Sequence, residues 1–158
     1  MEKITSFTID HIKLQPGLYV SRKDPVGKET VTTFDLRITS PNEEPVMNTA
    51  EMHTIEHLAA TYLRNDPQYR DRVLYFGPMG CQTGFYLLVR SQNHAENFEA
   101  VKTVLRRIID HDGGMFGAER KECGNYRNLD LESAKKECRV YLEALEAIGT
   151  PTFEYPTE

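Results

Sequence analysis

No stretch of this 158-residue chain approaches the roughly 18 consecutive apolar residues that a bilayer crossing needs, so no membrane span is expected. Basic residues are also short: 19 Lys and Arg stand against 24 Asp and Glu, a net charge of -5. A nucleic-acid surface is usually basic, so this balance points instead to a small molecule or another protein as the partner. Cysteine is scarce, with Cys81, Cys123 and Cys138 alone. An odd number, after an opening MEKITSFTID without an apolar signal core, argues against a disulfide framework. It predicts reduced thiols in a cytoplasmic protein. Repeats, low-complexity tracts and composition shifts are absent too. One domain over 1–158 is therefore expected, long enough to bury a core without staples.

What is present reads as a mixture of strands and helices. GLYVSR and TVTTFDLRIT alternate as strands, with the turn-rich KDPVGKE between them. Asn48 followed by Glu51 has the capping-box spacing, and Met52, Ile55, Ala59, Tyr62 and Leu63 recur at helical intervals, which predicts a helix over 49–64. RVLYFG and GFYLLVRS read as short strands around PMGCQT. A second helix starts at Asn93 with Phe98, Val101, Leu105 and Ile108 on its core face, and stops at Gly113-Gly114. MFGAERKECGNYRN has no long period. The last helix carries Leu131, Ala134, Cys138, Tyr141, Leu142, Leu145 and Ile148 on one side, ended by Gly149 and Pro151. Without strict strand–helix–strand alternation, the expected class is α+β: a mainly antiparallel sheet with helices packed on it.

The segment with the most chemistry is NTAEMHTIEHLAATYL, residues 48–63. At about 100° per residue, His53 and His57 project about 40° apart, with Glu56 about 60° to the other side of His53. The apolar set lies opposite. Imidazoles at i and i+4 can grip one ion, and a carboxylate beside them can take a proton from something bound there. His-x-x-Glu-His is also the inverted form of a zinc-protease helix motif. The bland alternative is a polar helix face carrying two histidines by chance, so a third ligand is needed. Cys123, beside a glycine in the aperiodic KECGN, is the best candidate. Two nitrogens and a thiolate suit zinc or ferrous iron and leave a fourth position for water or substrate.

Cys81 lies in PMGCQTG between glycines, where backbone can approach a ligand closely. It reads either as a proton-exchanging thiol or as an incidental turn residue. Cys138 falls on the apolar stripe of the last helix and reads as core. DHD at 110–112 reads as a helix end, His94 as an exposed first-turn residue, and His11 has no partner at any telling spacing. Two other classes share the histidine helix. One is a small metallopeptidase; the other is a regulatory or structural domain whose metal is closed by a fourth protein ligand.

Taken together, SFTIDH, FDLR, HTIEH, PMGCQTGFYL, ECGNY and LESAK follow one another in an order that resembles the S-ribosylhomocysteine lyase (LuxS) family along nearly the whole chain. That family makes the precursor of autoinducer-2. The resemblance implies a homodimer of small α+β subunits with an active site at each end of the interface. It also implies one Fe2+ per subunit, replaceable by Zn2+ or Co2+, on ligands matching His53, His57 and Cys123. Glu56 and Cys81 match the family's acid/base residues, and Ser6, His11 and Arg37 match its substrate contacts. The implied reaction cleaves S-ribosylhomocysteine to homocysteine and 4,5-dihydroxy-2,3-pentanedione by two carbonyl migrations and β-elimination of the thiol. Cys81 is assigned to the early proton transfers, and Glu56 to later ones including protonation of the departing thiolate. One departure stands out. Where many members carry an acidic residue in the pattern Asp-x-Ser, this chain has Tyr75-Phe76-Gly77. Tyr75's hydroxyl or backbone groups would have to hold whatever that carboxylate holds.

Overall fold

The structure, a computed structural model, describes residues 1–157. After a single 3-10 turn at Thr5–Phe7, strand β1 (Gly17–Val26) pairs antiparallel with β2 (Glu29–Arg37). The pairing runs through Asp24, Pro25 and Val26, so the connection shrinks from KDPVGKE to Gly27-Lys28. Gly27, at φ +62, supplies the left-handed residue that so short a turn requires. Pro25 is tolerated because β1 is an edge strand and its missing N–H need not pair outward. Strands β3 (Val73–Pro78) and β4 (Gly84–Arg90) complete a four-stranded antiparallel sheet in the order β1-β2-β4-β3. The expected α+β class holds.

Three helices cover one face of this sheet: α1 (Thr49–Asn65), α2 (His94–Ile109) and α3 (Leu131–Ile148). Asn48 caps α1 with the anticipated box: its side chain accepts from Glu51 N at 2.9 Å, and Glu51 Oε1 accepts from Asn48 N at 2.7 Å. A cap of this kind contributes about 1 kcal/mol. Alternation along β2 sends Phe34 and Leu36 to the helices, where they meet Phe85, Leu87 and Val89 of β4. From α2 come Phe98, Val101, Leu105 and Ile108, and from α3 come Ala134, Cys138, Tyr141 and Leu145, all buried as expected. Fully burying an aliphatic or aromatic side chain of this size contributes about 1.5–3 kcal/mol. On α1 the stripe is wider than the sequence spacing suggested, because Leu58 is fully buried as well. No helix among the described residues is long and apolar enough to cross a membrane.

Two expectations shift at α2. The helix ends at Ile109, before Gly113-Gly114, because Asp110 caps it and His111 turns inward. His94, expected to be exposed, is half-buried and packs edge-on against Phe34 and Phe153. Burial, reinforced by the nearby Lys23 charge, holds its imidazole below the ordinary histidine range. The C-terminal tail brings Phe153 there, a contact that no local pattern encodes.

Among the described residues no helix lies on the sheet's other face, yet Val31, Thr33, Asp35 and Arg37 are all buried. Tyr19 and Tyr155, stacked with ring centroids 5.2 Å apart, lie on this side. The tail therefore contributes to both faces of β1's edge.

Candidate metal centre and catalytic site

Helix α1 places His53, Glu56 and His57 within one turn, all half-buried. Each imidazole is fixed by a backbone carbonyl: His53 Nδ1 lies 2.8 Å from Asn128 O, and His57 Nδ1 lies 2.8 Å from Phe116 O. A carbonyl only accepts, so each neutral ring carries its proton on Nδ1 and keeps the Nε2 lone pair free. The aperiodic segment between α2 and α3 supplies both carbonyls. It also supplies Cys123, whose Sγ stands 3.3 Å from His53 Nε2 and accepts from Asn125 N at 3.4 Å.

The ligating atoms of His53, His57 and Cys123 all lie within 4.8 Å of one another. Donors sharing one tetrahedral ion sit roughly 3.5 Å apart, so the trio fits a single cation with little adjustment. Both imidazoles are already oriented by their outer partners, as metal-bound histidines usually are.

The supporting contacts explain why this segment has no period of its own. Asn128 Nδ2 bonds Thr49 Oγ1 at 3.2 Å, and Asp130 N bonds Thr54 Oγ1 at 2.8 Å, which clips residues 128–130 along α1. At Gly117, φ is +64 and an added Cβ would lie 3.2 Å from His57 Nδ1. The left-handed backbone and this close approach to the His57 ring both favour glycine there. The DHD tract does follow a helix end, but His111 is buried and does more than close it. Its Nδ1 lies 2.6 Å from Tyr62 Oη and its Nε2 lies 3.0 Å from Gly114 O. With its ring 5.1 Å from that of Phe116, it anchors the loop that presents Phe116's carbonyl to His57.

Cys81 sits in the β3–β4 connection with its side chain exposed. Met47 N donates to Gln82 O at 3.1 Å, tying this connection to the chain entering α1. Cys81 Sγ lies 3.1 Å from Thr83 Oγ1 and 3.9 Å from Arg37 Nη1. Arg37 is buried: it bonds Thr83 at 2.7 Å and grips both Asp35 oxygens, at 3.1 and 2.6 Å. Burial opposes the guanidinium charge, but Asp35 outweighs it, with Cys81 and Tyr155 adding to the effect, so the pKa of Arg37 is raised. Strand alternation in FDLR puts Asp35 on the same face as Arg37, but nothing local in the sequence marks the pair as buried or brings Tyr155 to it. Cys138 is buried on α3, where burial pushes its thiol up to about 12 and leaves it inert.

Ser6 and His11 are half-buried in the N-terminal segment, where His11 Nδ1 lies 2.9 Å from Ile9 O. Among the described residues, no hydrogen bond joins either to the trio, Glu56 or Cys81. Beside Cys123, Arg120, Gly124, Asn125, Tyr126 and Arg127 line a cleft of about 390 Å³. Tyr75 is half-exposed and its phenol folds over Gly77, where any side chain would collide with it.

A family model described as S-Ribosylhomocysteinase (LuxS) matches residues 4–150. The chain belongs to the LuxS family. Among its curated relatives, the S-ribosylhomocysteine lyase of Clostridium acetobutylicum is 48% identical over 157 residues, 99% of each chain. That of Finegoldia magna is 50% identical over 157 residues, again 99% of each. That of Phocaeicola vulgatus is 51% identical over 160 residues, covering 100% of this chain and 99% of the relative. Membership makes this LuxS-family protein a carbon–sulfur lyase and displaces the peptidase and structural-domain alternatives.

Proposed function

We propose that the protein cleaves S-ribosylhomocysteine to homocysteine and 4,5-dihydroxy-2,3-pentanedione at a metal centre built by His53, His57 and Cys123. The observation that carries this reading is the convergence of those three donors on the helix face that bears Glu56. A divalent ion, Fe2+ with Zn2+ or Co2+ able to replace it, supplies Lewis-acid polarisation of a substrate oxygen when bound.

The chain's own groups move the protons. The substrate's C5 cannot lose its thiol until an adjacent C4–H is acidic, so the carbonyl must first migrate from C1 to C3. Cys81, exposed and backed by Thr83 and Arg37, takes the proton from C2 and returns it at C1, which places the carbonyl at C2. The same exchange between C3 and C2 moves the carbonyl to C3. Glu56 then removes the C4 proton. The C4–H electron pair forms a C4=C5 bond as the C5–S pair leaves with sulfur, and the proton passes to the departing thiolate. The enol left behind ketonises to a methyl at C5 and a carbonyl at C4, giving the pentanedione. Arg37, buried behind Cys81, supports the thiol side of this exchange, and only its Nη1 edge beside Cys81 is placed to meet the substrate.

The functional unit is a homodimer. Support comes from the N-terminal segment, which leaves Ile4, Phe7 and Ile12 exposed at 58%, 70% and 79% around Ser6 and His11. A second copy covers these side chains and completes the substrate site with both residues; sedimentation of a monomer alone would contradict this. The three unpaired cysteines suit the reducing cytoplasm.

Purified protein loaded with Fe2+ is predicted to release one thiol per S-ribosylhomocysteine consumed, read by thiol titration. A protein holding one metal per chain that releases none would overturn the assignment.

A further inference from the structure

The C-terminal tail reaches the catalytic thiol's support without touching the thiol. It returns along the open edge of β1, where Phe153 O accepts from Val20 N at 2.8 Å. Phe153 adopts φ +63 and tucks its ring among the core helices, 6.0 Å from Phe98 and 5.5 Å from His94. Two residues later Tyr155 is on the opposite face of the sheet. Its ring stacks on Tyr19, and its hydroxyl donates to Asp35 Oδ2 at 2.7 Å. The two rings thus clasp the edge strand from both sides.

Asp35 is fully buried, so its carboxylate depends on protein donors alone. Arg37 supplies two of them and Tyr155 the third. Arg37's remaining terminal nitrogen, Nη1, faces Thr83 Oγ1 and Cys81 Sγ. A guanidinium is planar and rigid, so fixing its Nε/Nη2 side fixes the direction of Nη1. We propose that Tyr155 is a positioning residue for the proposed lyase reaction: through Asp35 it keeps Arg37 Nη1 aimed at the sulfur of Cys81. The tail, distant in sequence from every motif, thereby sets the reactivity of the proton-carrying thiol.

Losing the hydroxyl leaves Asp35 Oδ2 with Arg37 alone, and the carboxylate–guanidinium plane is free to turn. The proposal rests on the role given to Cys81, but its test does not need turnover. Metal-loaded Tyr155→Phe, which keeps the ring and its stacking, is labelled with iodoacetamide at neutral pH, and Cys81 is followed by peptide mass mapping. Its labelling rate is expected to fall about threefold to tenfold, because reactivity follows thiolate stabilisation. Metal content should be unchanged, and Cys138 should stay unlabelled as an internal check on folding. With substrate, kcat should fall by a comparable factor while KM stays nearly constant, the pattern of an interaction used in the reaction rather than in binding. An unchanged or faster labelling rate of Cys81 overturns the proposal, whatever happens to turnover. If Tyr155→Phe does not fold, Tyr155→Leu in the full chain, which keeps an apolar side chain over Tyr19 and offers Asp35 no donor, gives the same reading, with the same outcome required. Loss of lyase activity in the unaltered protein, with the labelling difference intact, would instead sink the functional assignment alone.

Discussion

Glu56→Gln is expected to retain one metal per chain and to lose turnover by roughly 10²–10⁴-fold, the range for removing a positioned general acid–base. The substitution is nearly isosteric, so α1 should keep its cap and the arrangement that presents His53 and His57 to the cation. Neither histidine depends on Glu56 for its orientation, since their Nδ1 partners are the carbonyls of Asn128 and Phe116. A glutamine cannot remove the proton at C4 or hand one to the departing sulfur, so kcat should fall far more than KM rises. Metal analysis beside steady-state kinetics checks both halves. Loss of the metal along with activity would make Glu56 a ligand or an orienting group and cancel its proton-carrying role.

Cys123→Ala should fail in the opposite order. The thiolate is the one anionic member of the trio, and removing it leaves two neutral nitrogens to hold a dication. Outer-shell changes alone weaken metal sites by 10–100-fold, so losing a first ligand should lower affinity by at least about 100-fold and turnover with it. The fold should survive. Cys123 is only partly buried in a segment held to α1 by the Thr49–Asn128 and Thr54–Asp130 bonds, neither of which uses the sulfur. Competition with a chelating dye reads the affinity directly. Retention of metal near the unaltered affinity would remove Cys123 from the centre.

The parts of this site that the sequence displays are those encoded locally. A capping box, a 3.6-residue apolar stripe and two histidines four apart sit within sixteen consecutive residues, and α1 forms within a residue of the expected limits. Cys123 was legible for a different reason. A cysteine beside glycine in a stretch with no period has no packing role to explain it, and its sulfur does converge on His53. Cys138, by contrast, falls on a helical stripe and is inert core.

What stayed hidden depends on distant chain returning to the sheet. Asp35 looks like an ordinary strand residue until Arg37 beside it and Tyr155, 120 positions later, converge on its carboxylate. His94 reads as exposed because its helical position is a first turn, yet the tail carries Phe153 onto it. His111 reads as a helix end because Asp110 and two glycines surround it, while its partner Tyr62 is 49 residues away. The edge strand misled in another way: Pro25 and Gly27 look like a long turn, and only the pairing of Asp24 with Val31 shows that β1 continues.

Cobalt makes the central claim visible, because a thiolate bound to Co2+ gives an intense charge-transfer band and the visible transitions report coordination number. Protein loaded with one Co2+ per chain should show the thiolate band, and added S-ribosylhomocysteine should change the visible spectrum as it enters the fourth position and thiol appears in solution. A cobalt protein without the thiolate band, or one whose spectrum is indifferent to substrate, would contradict a centre made by His53, His57 and Cys123 with one corner open to the substrate.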